Sequence, residues 1–256
     1  MVADLRLAAR QALACLDLTS LNDGDTPQTI DDLVRRSQGA HGSPAALCVW
    51  PRFVAQTRAL APASLRVAAV VNFPSGQEPL EAVVAQTQAV LADGAQEVDL
   101  VLPWKALMQG DEASACAMVR AVRRAAGANT LKLIIESGSL ASPELIRQAC
   151  LIGLNEGVDF LKTSTGKTAV GATLEAAQVM LHTMSEHPRG ASVGFKASGG
   201  IRTVADAAAY LELVAQHLGP QALSPSRLRF GASGLLNDIE AVLSGAPASA
   251  GPASSY

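Results

Sequence analysis

Aromatic residues make up only 4% of this 256-residue chain and charged residues only 17%, against 49% hydrophobic. So few charges on so apolar a chain exclude a disordered chain and describe a packed core of aliphatic side chains. The four cysteines, Cys15, Cys48, Cys116 and Cys150, lie far apart, with no CxxC pair and no histidine at ligand spacing. That excludes a zinc motif and a disulfide framework, and leaves them as small buried hydrophobes. The net charge is −3, and no basic block or basic-aromatic interleaving is present, which argues against a nucleic-acid partner. No apolar run approaches the roughly 20 residues a membrane helix needs. The opening "MVADLRLAARQALACLDLTS" carries charges where a signal peptide has its apolar stretch, so no membrane partner and a cytoplasmic location are expected. No GxGxxG follows the first apolar segment, and neither an internal repeat nor a linker divides the chain.

What is present is alternation. Eight short apolar segments read as strands at 13–19, 46–50, 66–73, 96–102, 130–137, 159–164, 191–198 and 228–233. Between them lie helical patterns such as 77–94, 142–157, 172–187 and 203–219, several opened by Ser or Thr and closed by Gly. Strand and helix alternating eight times predict parallel pairing, and closure into a (β/α)8 TIM barrel leaves no edge strand exposed. An open doubly wound sheet is the alternative. A single α/β domain is expected over 1–243, followed by a flexible Pro/Ser/Ala/Gly tail over 244–256.

Strand residues alternate between two faces, so each barrel strand has an inward set. In 159–164 the inward set is Phe160, Lys162 and Ser164. In 191–198 it includes Gly194 and Lys196, in 96–102 Asp99, and in 130–137 Lys132, Ile134 and Glu136. Two lysines on adjacent strands thus converge, with an aspartate and a third lysine nearby, towards the strand ends where barrel active sites are built. Burial and a like-charged neighbour both lower a lysine pKa, so Lys162 beside Lys196 is expected to be partly neutral. A neutral amine attacks carbonyls to form Schiff bases. The plainer alternative is that each lysine only salt-bridges a carboxylate such as Asp99. Three glycine-containing turns, "STGK" (164–167), "SGGIR" (198–202) and "FGASG" (230–234), each follow a strand and are read as opening a helix. Such helix starts bind phosphate, and Lys167 and Arg202 add positive charge.

These residues resemble deoxyribose-phosphate aldolase, the class I aldolase family of deoxynucleoside breakdown. The resemblance rests on "LDLTSLNDGDT" (16–26), "LCVWPRFV" (47–54), "VVNFPSG" (70–76), "EVDLVLPWKALMQG" (97–110), "IIESGSL" (134–140), "DFLKTSTGK" (159–167), "VGFKASGGIRT" (193–203), "RFGAS" (229–233) and the final "SSY". It implies a (β/α)8 barrel that reversibly cleaves 2-deoxy-D-ribose 5-phosphate to D-glyceraldehyde 3-phosphate and acetaldehyde, with no metal and no organic cofactor. By the same resemblance Lys162 forms the Schiff base, Lys196 depresses its pKa and assists proton transfer, and Asp99 is an acid/base working through water. Phosphate and substrate contacts are implied for Thr165, Gly166 and Lys167, for Gly199, Gly200, Ile201 and Arg202, and for Gly231, Ser233 and Gly234. Asp17, Thr19 and Lys132 are second-tier candidates for orienting water or substrate hydroxyls and for fixing the charge on Asp99. Cys48 is a candidate for bordering the site, and Tyr256 for folding over it. Gly234 departs from family members that carry a second serine there, which removes one hydroxyl donor. A homodimer is the expected assembly. The rival readings are another class I aldolase or transaldolase-like enzyme on a different phosphosugar, and a sugar-phosphate binder without catalysis.

Overall fold

A computed structural model describes residues 4–245. Eight strands close a parallel barrel in sequence order: β1 (Leu16–Ser20), β2 (Ala46–Val49), β3 (Arg66–Val71), β4 (Glu97–Val101), β5 (Thr130–Ile134), β6 (Phe160–Lys162), β7 (Gly194–Ser198) and β8 (Leu228–Ala232). β1 pairs with both β2 and β8, so the sheet has no free edge. This is a TIM barrel, and it removes the open-sheet alternative.

Helices follow the strands for local reasons. Leu80–Ala92, Pro143–Asn155, Leu174–Glu186 and Val204–Leu218 fall inside the four expected helical stretches. Ser142 and Thr173 accept from backbone N–H groups of their first turns, and Thr203 with Asp206 forms a reciprocal cap. Their apolar stripes pack on the outward strand residues. Leu16, Leu18, Val98, Leu100, Leu133, Leu161, Phe195 and Phe230 all belong to this outer core. Inside the barrel Cys48, Ala68 and Val70, with Leu21, form a small apolar cluster on the β2–β3 side, and Ile134 and Phe160 add buried apolar side chains from β5 and β6. The rest of the interior is therefore available for charge.

Several expected boundaries move. Residues 13 and 14 belong to the helix Leu5–Ala14, because Leu13 completes its buried stripe with Ala8, Ala9 and Ala12. β7 begins at Gly194, since the preceding carbonyls turn to the Arg227 guanidinium, which donates to Val193 and Gly190 at 3.0 and 2.8 Å. β5 ends at Ile134, and Glu136 takes a left-handed conformation with φ 56°. Of the tail expected over 244–256, Ser244 closes the last helix, Leu235–Ser244, and Gly245 caps it. Residues 246–256, Tyr256 among them, lie outside the described residues.

Candidate active site

Strand register brings the charged residues together. Asp99 pairs across from Lys132, and Lys162 from Lys196, which in turn faces Arg229. Asp99 is the hub. Its Oδ1 accepts from Lys132 Nζ at 2.8 Å, and its Oδ2 accepts from both Lys162 and Lys196 at 2.8 Å. Asp17 lies beside it, taking Lys196 at 2.5 Å, Arg229 at 2.6 Å and, more distantly, Lys132 at 3.5 Å. Glu97 completes the group with Lys132 at 2.5 Å and Arg229 at 2.9 Å. All seven side chains are buried. Removing such ions from water costs several kcal/mol each unless they are paired, and here every one is.

The surroundings sort these groups. Burial pushes the Lys162 amine down from the ordinary lysine value; Asp99 opposes that shift and Lys196 adds to it. For Lys196 burial acts the same way but is outweighed by Asp17 and Asp99, so its pKa rises. Lys132 and Arg229 likewise rise against burial, held by the carboxylates around them. Burial would raise Asp99, yet Lys132, Lys162 and Lys196 together hold it well below the usual carboxylate range. Asp17 and Glu97 are lowered for the same kind of reason. At neutral pH this is a charged network in which one amine leans towards neutrality.

A cleft of about 370 Å³ opens at the C-terminal ends of the strands. Lys162 is the one network member on its lining. Of the residues expected to meet substrate, Thr19, Thr165, Gly166 and Lys167 line it from two sides. Gly199, Gly200, Ile201 and Arg202 line a third, and Gly231, Ser233 and Gly234 a fourth. Asp17, Cys48, Asp99, Lys132 and Lys196 do not reach this lining and lie fully buried beneath it. Cys48 Sγ stands 4.0 Å from Asp99 Oδ2, and burial raises its thiol pKa.

The "STGK" turn departs from expectation, because no helix opens there. Residues 168–173 separate it from the helix that starts at Leu174. The loop is instead tied back to Glu136, whose carboxylate accepts from Thr165 Oγ1 at 2.6 Å and from Thr165 N and Thr168 Oγ1 at 3.3 Å. Its glycines serve contact between loops. A Cβ on Gly199 would sit 3.1 Å from Gly171 Cα and 3.3 Å from Gly166 Cα. The other two turns do lead into helices, at Val204 through Thr203 and at Leu235 through Gly234.

Some participants went unread. Glu97 and Arg229 occupy inward positions of β4 and β8, and the alternation that placed Asp99 places them too. Ser198, Leu21 and Asn22 on the cleft lining, and Glu136 as the tether of a loop, carried no signal beyond their neighbours. Among the described residues no group of three or more His, Cys, Asp or Glu stands where it could hold a metal.

The family model for DeoC/LacD aldolases matches residues 11–241. The chain belongs to the DeoC/LacD aldolase family. A relative from Agrobacterium fabrum strain C58, described as deoxyribose-phosphate aldolase, is 49% identical over 94% of this chain and 93% of its own length. A structure from Toxoplasma gondii ME49 superposes with TM-score 0.87 at 24% identity, covering 94% of this chain and 96% of the other. A tetrameric deoxyribose phosphate aldolase from Aeropyrum pernix gives 0.69 at 22% identity, covering 94% and 99%. Those two likenesses concern the fold. As a DeoC/LacD family member the protein is an aldolase, a lyase acting on carbon–carbon bonds.

Proposed function

We propose that this protein is a class I aldolase that reversibly cleaves 2-deoxy-D-ribose 5-phosphate to D-glyceraldehyde 3-phosphate and acetaldehyde, in cytoplasmic breakdown of deoxyribose phosphate. One observation carries the reading. Lys162 alone joins the buried network to the cleft, and its amine is the one whose pKa falls. The description of the 49% identical relative supports the choice of substrate. Residues 1–243 act as one catalytic unit, and the proposed assembly is a homodimer, which light scattering would check.

The geometry supports the following course of reaction. Neutral Lys162 Nζ adds to the aldehyde carbon of the open-chain sugar, and loss of water leaves a protonated imine. The hydroxyl two carbons along gives up its proton, and its carbon becomes the new aldehyde. Electrons of the bond between that carbon and the methylene flow into the imine, so the two-carbon fragment remains as an enamine and not as a free carbanion. Protonation of the enamine carbon and hydrolysis release acetaldehyde. Asp99, charged and hydrogen-bonded to Lys162, is placed to pass protons through water. Lys196 stays protonated and keeps the field that disfavours a second ammonium beside it. Asp17 and Lys132, below the cleft, fix the charge on Asp99. The phosphate is assigned to backbone N–H groups of the turns at 166–167, 199–202 and 231–234, with Lys167 and Arg202 adding charge.

Incubation with acetaldehyde and borohydride, followed by peptide mass spectrometry, tests the reading. An ethyl group on Lys162 that disappears in Lys162→Ala is the expected result. Label scattered over surface lysines would overturn it. A donor panel separates the rival aldolase: consumption of dihydroxyacetone phosphate with acetaldehyde ignored would transfer the assignment.

A further inference from the structure

The network under the cleft has an uneven charge inventory. Its carboxylates are Asp17 from β1 and Glu97 and Asp99 from β4. Its cations are Lys132 from β5, Lys162 from β6, Lys196 from β7 and Arg229 from β8. β2 contributes the neutral Cys48 thiol, and β3 only Ala68 and Val70. Three negative groups thus face four cationic ones, and one proton is in surplus.

The contacts decide which cation surrenders it. Lys132 touches Glu97, Asp99 and Asp17. Lys196 touches Asp17 and Asp99, and Arg229 touches Asp17 and Glu97. Lys162 has Asp99 alone, through an oxygen that Lys196 also uses. Arg229 cannot give up its proton under ordinary conditions, so its charge in the network is permanent. Glu97 contacts neither Lys162 nor the cleft, yet it supplies one of the three negative charges.

We propose that Glu97 and Arg229, a pair set beneath the cleft, are positioning residues that fix the charge inventory of the network and thereby leave Lys162 as the neutral amine. This rests on Lys162 being the Schiff-base lysine and adds what sets its proton. Arg229 supplies the fourth positive charge that makes a neutral lysine necessary. Glu97 offsets it and ties Lys132 down, so that the loss falls on Lys162. The carboxylate also orients the guanidinium through two oxygens, with Nη1 donating to Oε2 at 3.1 Å and Nη2 to Oε1 at 2.9 Å.

The test is the acid limb of the pH profile of kcat/KM, which reports ionisation of the free enzyme. Removing a negative charge by Glu97→Gln is expected to move that limb to lower pH by about one unit. Removing a positive charge by Arg229→Gln is expected to move it to higher pH by a similar amount. The double variant, which deletes one charge of each sign, returns it near the wild-type position, and Arg229→Lys leaves it there. A purely structural pair would lower activity without shifts of opposite sign and without restoration in the double variant. An acid limb fixed in every folded variant overturns the proposal. Where Arg229→Gln does not fold, Glu97→Gln and the double variant still decide it, since paired removal leaves no orphan charge. Borohydride trapping on each variant separates the two failures: ethylation of Lys162 with an unmoved limb sinks this inference alone, and no ethylation of Lys162 in the wild type sinks the aldolase reading first.

Discussion

At the scale of single residues, Lys162 and Cys48 show what burial does to reactive groups in one interior. Lys162 shares one oxygen of Asp99 with Lys196, whereas every other cation of the network has two or more carboxylates. An amine so poorly compensated costs stability. Replacing it with a flexible apolar side chain, Lys162→Met, should raise unfolding stability at pH 7 by about 1 kcal/mol while abolishing aldolase activity. Urea unfolding beside an activity assay checks this, and a destabilised variant would show that the lysine is held by more than Asp99. Cys48 is fully buried and its thiol is pushed up, so it should stay a protonated, unreactive group. In a thiol titration of the native protein, Cys116, the one partly exposed cysteine, should react first, and Cys48 only after denaturant is added. Early labelling of Cys48 would mean that the barrel interior opens.

At the scale of elements, alternation along strands made most of the interior legible. It placed Asp99, Lys132, Lys162 and Lys196 on one side of the sheet, and it applies equally to Glu97 and Arg229. What alternation cannot show is which inward groups touch, because that depends on register between strands far apart in the chain. Gly194 is an example. A Cβ there would fall 2.2 Å from Phe160 Cε1, so β7 must carry glycine where the β6 ring crosses the barrel. Gly194→Ala should cost about 2 kcal/mol in urea unfolding, since the ring has to move within a packed layer. The three turns were legible as glycine-rich loops after successive strands, but not their direct contacts: the approach of Gly199 to Gly166 and Gly171, and the tether from Thr165 to Glu136, join segments that no spacing rule links. Lys167 emerges from that tethered loop onto the cleft. Lys167→Ala should therefore raise KM for a phosphorylated substrate about tenfold and leave unphosphorylated deoxyribose unaffected. Equal losses for both would move Lys167 from phosphate binding to loop structure.

At the scale of the whole molecule, eight alternations of strand and helix made a parallel barrel the simplest reading, and the pairing of β1 with β8 decided it against an open sheet. Closure has an electrostatic consequence, since it stores seven ionisable groups from six strands in one dry interior, and their linkage to pH has a definite sign. Asp17, Glu97 and Asp99 have folded pKa values below their unfolded values of about 3.9 to 4.3. Their stabilisation is present above that range and is lost as pH falls through the lowered folded values. Lys132, Lys196 and Arg229 are raised, so their share is complete below the unfolded lysine value of about 10.4 and is lost only above it. Lys162 runs the other way. Its lowered pKa means that the unfolded chain binds the extra proton, so this residue adds stability as pH rises towards about 10.4. The urea midpoint at constant ionic strength should consequently hold or climb gently from about pH 5 to about pH 9 and fall steeply below about pH 4. In Lys162→Met the gentle climb should flatten while the acid fall remains. A midpoint that rises as pH drops below 4 would contradict the depressed carboxylates, and an unchanged climb in the variant would place the lowered amine somewhere other than Lys162.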